Sequence, residues 1–143
     1  MNRRDLVLAI LAAADGQSYS PVQIQKAAFL VTRNVPEVVS EGDPFHFVAY
    51  DYGPFDRAVY SEAEMLQIQG HAQVNQSSGR WRTYSTSPVG LSRGREILES
   101  LPQPQREYIT RVSSWVRSLD FATLVKSIYE AYPDTKANSI FQG

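Results

Sequence analysis

Ala72-Gln73-Val74-Asn75-Gln76 and Arg80-Trp81-Arg82-Thr83-Tyr84-Ser85 flank the small-residue turn Ser77-Ser78-Gly79. Extended segments on both sides of a glycine turn predict a β-hairpin. Side chains alternate along a strand, so Trp81 and Thr83 point to one face and Arg80, Arg82 and Tyr84 to the other. What lies before and after this hairpin is helical in pattern, and the order of elements sets the expected architecture.

Upstream, Asn2 to about Ala14 reads as a helix that is apolar nearly all round, capped by Asn2 with Asp5 three residues on and stopped by Gly16. Such a helix belongs inside a domain. Arg3-Arg4 before Leu6–Ala14, with Ala12-x-Ala14, also has the outline of a short secretory signal. Asp5 interrupts its positive flank, so the core helix ranks first. Ser20-Pro21-Val22-Gln23 gives a capping box with proline at the first helical position. Ile24, Ala27, Ala28 and Val31 then share one face, leaving Gln23, Lys26 and Arg33 more exposed, and the helix ends near Asn34.

Residues 35–44 carry two prolines, one glycine and three acids, the composition of a surface loop. Phe45-His46-Phe47-Val48-Ala49-Tyr50 alternates as a short strand with one buried face, broken by Asp51-Tyr52-Gly53-Pro54. A third helix is expected from Phe55 to Ile68, with Val59, Ala63 and Leu66 on one face and Gly70 closing it. After the hairpin, a helix through Ile97, Leu98 and Leu101 ends at Pro102. Two more follow, carrying Ile109, Val112, Val116 and Leu119, then Phe121, Leu124, Val125 and Ile128, up to Pro133. The tail from Asp134 lacks a clear period. No repeat or linker divides the 143 residues, so the expected fold is a single mainly α (α+β) domain: a winged-helix-like core with a β-hairpin wing and additional C-terminal helices.

Gln25-Lys26-x-x-Phe29-Leu30, Tyr52-Gly53-Pro54-Phe55 followed by Val59-Tyr60, and Leu124-Val125-x-x-Ile128-Tyr129-x-x-Tyr132-Pro133 occur in this order. In them the chain resembles the Panacea (SocA-like) antitoxin-related proteins and their YwgA-like relatives. The resemblance implies a small cytoplasmic protein, often encoded in phage-linked or toxin-antitoxin loci, that acts by binding another protein. In that family the domain neutralises toxins or serves as a proteolytic adaptor. The chain is short and lacks an obvious separate DNA-binding module, and YwgA-like members bring no activity to carry over.

Composition narrows the chemistry. A formal charge of −1 provides no global field for nucleic acid or anionic membrane, and no apolar run approaches the ~18–20 residues of a spanning helix. The absence of cysteine removes disulfides, thiolate nucleophiles and Cys-ligated metals, and suits a reducing cytoplasm. His46 and His71 lack partners at metal-motif spacing, and no phosphate-loop pattern surrounds Gly90 or Gly94. No metal, cofactor or catalysis is therefore expected. Asp51 and Asp56 flank the Tyr-Gly-Pro turn, where acid-base work is conceivable for a small hydrolase, but turn bonding and helix capping are the simpler uses. Glu62 and Glu64, two apart on a helix, diverge.

Two binding modes remain. Tyr52, Gly53, Pro54, Phe55 and Tyr60 around the turn, with Arg80 and Arg82 on the hairpin, are the expected contacts for a protein partner, a toxin or effector. Gly53-Pro54 also has a plain role as a rigid turn pair, and Phe55 one in the core, with Tyr52 and Tyr60 the better surface residues. Arg80, Arg82, Arg93 and Arg95 fall in sixteen residues without an acid and suit nucleic-acid binding through the wing. Asp56, Glu62 and Glu64 against Arg57 argue against the third helix entering a groove. The plainer role for these arginines is ion pairing with the acidic region 35–64. Residues 1–79 carry a net −4 and residues 80–143 a net +3, an asymmetry that also suits a homodimer.

Overall fold

A helix buried on all sides organises the molecule. In α1 (Arg3–Ala12) the Asn2 side chain accepts from the Asp5 N–H at 2.8 Å, and every residue from Leu6 to Ala12 is buried. Around it pack α2 (Pro21–Asn34), α3 (Arg57–Ile68), α4 (Pro88–Ser100) and α5 (Gln103–Ser118). Closest is α4, because a Cβ on Gly94 would stand 2.3 Å from Ala12 Cβ. The computed structural model describes residues 1–77 and 81–141.

Local signals set most element starts. Ser20 and Gln23 form both halves of the capping box of α2, Asp56 caps α3 through the Ala58 N–H, and Ser87 caps α4. Asp120 caps α6 (Phe121–Ala131), which stops before Pro133 and the 3-10 turn Pro133–Lys136. On α2, burial runs unbroken from Ile24 to Val31, so Lys26, expected to be exposed, is enclosed. The cause is a covering element that the alternation before it did not announce.

That element is a hairpin. Phe45 and Phe47 turn inward and His46, Val48 and Tyr50 outward, as expected, but the strand proper, β1, is only Val48–Tyr50. Asp51-Tyr52 makes a tight turn, and Gly53–Phe55 returns as β2, paired Tyr50↔Gly53 and Val48↔Phe55. Instead of merely breaking a strand, Gly53-Pro54 begins one, laid against α2. The tail returns to it: Asn138 Nδ2 donates to the Ala49 carbonyl at 3.1 Å and Ile140 N–H to the Asp51 carbonyl at 2.9 Å.

The expected second hairpin is present as β3 (Ala72–Ser77) and β4 (Trp81–Thr86), in register from Ala72↔Thr86 to Ser77↔Trp81. Ser78 and Gly79 of its turn, and Arg80, lie outside the described residues. The two hairpins are separate two-stranded sheets. At Tyr84 the second gains a partner from the α1–α2 connection, as Tyr19 and Tyr84 exchange backbone hydrogen bonds of 2.8 and 2.9 Å. Tyr19 is fully buried, its hydroxyl shared between the Ile10 carbonyl and Ser113 Oγ. The fold is thus mainly helical α+β with two small antiparallel hairpins. Among the described residues no helix is long and apolar enough to cross a membrane.

Candidate functional site

Adjacent polar side chains of α2 hold the β1–β2 hairpin in place. Gln25 grips Asp56 twice, its Nε2 donating to the carbonyl at 2.8 Å and its Oε1 accepting from the N–H at 3.1 Å. Lys26 Nζ donates to the Pro54 carbonyl at 3.0 Å. The Lys26 side chain is taken out of water with no acid set against it among the described residues, and burial lowers its pKa to about 8. Gly53, at φ +104°, lies over it: a Cβ there would meet Tyr129 Cε1 of α6 at 3.3 Å and Lys26 Nζ at 3.6 Å.

Above this floor opens a cleft of about 380 Å³ whose walls are largely aromatic. Tyr50 stacks on Phe55 at 5.1 Å, Phe55 meets Tyr60 at 5.8 Å, and Tyr52 meets Phe121 edge-on at 5.0 Å. Tyr50, Tyr52 and Phe121 remain 52%, 41% and 44% exposed. A smaller depression of about 280 Å³ shares Tyr50, Phe55 and Tyr60 and runs on to Glu64 and Arg82. Tyr52, Phe55 and Tyr60, picked out from the sequence as contacts, therefore line the cleft, and Arg82 lines the depression that adjoins it.

Their placements differ from one another. Gly53 and Pro54 are buried and supply backbone beneath the cleft. Phe55 is half-buried in the wall instead of in the core. Tyr60 is less free than expected, since its hydroxyl donates to the Pro21 carbonyl at 3.2 Å and its ring stacks on Tyr84. Burial raises its pKa. Phe121, assigned to the apolar face of its helix, stands at the rim. Lys26, Gln25, Tyr50 and Phe121 are the residues sequence reasoning missed. The Gln25-Lys26 pair was the available signal, but its meaning appears only with the turn it grips.

The arginines divide. Arg82 pairs with Glu64 at 2.9 Å, as expected of the acidic 35–64 region. Arg93 instead pairs with Glu96 on its own helix at 3.2 Å, and Arg95 with Asp15. Neither borders the cleft, and Arg80 lies outside the described residues. Glu62 turns inward to Arg3 Nε at 2.8 Å and Arg4 Nε at 3.0 Å, while Glu64 stays at the surface, so the two diverge as expected.

Asp56 is a structural group, its carboxylate accepting from the His46 N–H at 2.7 Å and the Ala58 N–H at 2.8 Å. Asp51 contributes its carbonyl to the Ile140 N–H. Among the described residues no three His, Asp or Glu side chains cluster as metal ligands.

The three segments that carry the family resemblance converge here. Phe29 meets Tyr132 edge-on at 5.1 Å, and Tyr129 packs over Gly53. No family model, no curated protein and no solved structure matches the chain.

Proposed function

We propose that this chain is a Panacea-like protein-binding module, a winged-helix-like domain that restrains a toxin or defence effector by direct contact and catalyses no reaction. The observation that carries this proposal is the aromatic cleft: exposed tyrosine and phenylalanine rings, with Arg82 in the adjoining depression, are the residue types on which protein interfaces concentrate their energy. The order α1, Tyr19 bridge, α2, α3 and β3–β4 supports the winged-helix-like assignment, with β1–β2 inserted between α2 and α3. Pairing of Arg82, Arg93 and Arg95 with carboxylates weighs against a nucleic-acid role, because each is already neutralised locally.

Capture of the tagged chain from its own host at native level tests this. A near-stoichiometric protein is expected, lost when Tyr52→Ala is combined with Arg82→Glu while the melting temperature stays nearly unchanged. Binding that survives both changes places the interface elsewhere. Recovery of nucleic acid alone, with a log-log salt slope near about −0.9 per phosphate contact, replaces the proposal with a DNA-binding regulator.

A further inference from the structure

The cleft floor holds a cation that no carboxylate pairs with among the described residues. Lys26 is 3% exposed, yet it lines the cleft. An ammonium carries three donors, and among the described residues its acceptor is the Pro54 carbonyl. Burying such a charge without a counter-charge is costly, and a carboxylate brought to it gains a charge-assisted hydrogen bond where water is already excluded.

The surroundings specify the rest of the ligand. A cavity of about 380 Å³ is in the size range of small-molecule sites, which combine apolar walls with a few placed polar groups. Here the walls are Tyr50, Tyr52, Phe55, Tyr60 and Phe121; Asp51 also lines the cleft, and among the described residues it forms no ion pair with Lys26. An extended peptide would need free backbone groups along the floor, and at Gly53, Pro54 and Asp56 these are taken. Gln25 occupies both backbone groups of Asp56, Lys26 the Pro54 carbonyl, and Gly53 is laddered to Tyr50. The rings offer stacking surface but no such strip.

We propose that the cleft is a binding site for a small aromatic monocarboxylic acid, its carboxylate on Lys26 Nζ and its ring between Tyr52, Phe55 and Phe121. No covalent step is involved. The proposal uses the same cleft as the protein-partner reading but concerns the isolated chain, so either can fail without the other.

The test is an NMR titration of the isotope-labelled full chain with phenylacetate, with its neutral isostere phenylacetamide, and with acetate. Saturable shifts are expected at the Gly53, Phe55 and Phe121 amides. Phenylacetate should bind at least about tenfold more tightly than either phenylacetamide or acetate, since each lacks one of the two features the cleft recognises. Lys26→Gln, which retains a donor for Pro54 without the charge, should abolish the preference for acid over amide. Should that variant fail to fold, Phe121→Glu at the exposed rim serves instead: it should weaken phenylacetate more than phenylacetamide. Absence of saturable binding, equal affinity for acid and amide, equal affinity for acetate, or a preference that survives the variant that folds overturns the site.

Discussion

Lys26 Nζ donates to the carbonyl of Pro54 at 3.0 Å, joining a helix to a strand 28 residues further along the chain. With the neighbouring Gln25 bound to Asp56, this makes α2 the template on which the β1–β2 hairpin sits. An isolated two-stranded hairpin is marginal in water. This one gains its definition from two side chains of a helix and from Tyr129 packed over Gly53.

Lys26 should make stability rise with pH in the alkaline range. Its folded pKa of about 8 lies below the ordinary 10.5, so between these values the unfolded chain binds more protons and loses out as pH increases. Above about pH 10 the sign reverses, because burial raises Tyr19 to about 12 and also raises Tyr60 and Tyr84, so the unfolded chain ionises first. Denaturant unfolding from pH 7 to 11 should show a rise of up to about 3 kcal/mol and then a fall. Lys26→Met should flatten the rising limb and spare the falling one; an unchanged slope between pH 8 and 10 would mean that the ammonium is solvated.

Gln25→Leu keeps the size of a buried side chain but strips two hydrogen bonds from Asp56. Each backbone group left without a partner is costly, though partial access to water moderates the loss, so about 1–3 kcal/mol is expected. Hydrogen exchange should locate the damage: amides of residues 53–58 should lose more protection than those of α1.

Gly53→Ala meets two obstacles, a φ of +104° and a ring carbon at 3.3 Å. A loss of about 1–3 kcal/mol is expected from the backbone conformation and the crowding together. Shortening the obstacle in Gly53→Ala/Tyr129→Leu should recover only the steric share. Full recovery in a thermal melt would show that the conformation itself costs nothing.

Glu62 anchors α3 to the start of α1 through Arg3 and Arg4. Its side chain is 10% exposed while the arginines are 32% and 35% exposed, so removal of the carboxylate frees Arg4 and leaves Arg3 with Asp43 at 3.6 Å, and water can partly reclaim both cations. Glu62→Gln should cost about 1–3 kcal/mol, below the range for fully buried pairs. A double-mutant cycle with Arg4→Met measures the coupling, and a value near zero would assign the loss to packing alone.

Much of this molecule was legible without coordinates where the cause is local. The Asn2, Ser20 and Asp56 caps act on residues two or three positions away, and the alternation from Phe45 to Tyr50 reports its own buried face. The all-apolar run Leu6–Ala12 announced a helix that must be surrounded. Among the candidate contacts, Tyr52 and Arg82 were legible as exposed types, and they line the cleft and the depression beside it.

Lys26 shows where that legibility ends. Helical periodicity placed it opposite Ile24, Ala27, Ala28 and Val31, toward solvent, and that placement on the helix was sound. Whether solvent is there depends on Pro54, brought by the return strand, and on Tyr129, brought by α6. Phe121 reverses the case: its helix face is apolar, but its neighbour is a half-exposed tyrosine instead of the core. The sequence by itself determined the elements, their caps and the apolar faces, because those follow from interactions within a turn or two of the chain. Only the tertiary structure decided which polar groups are enclosed and which rings stand free, because burial is a property of what distant segments place on top of a residue.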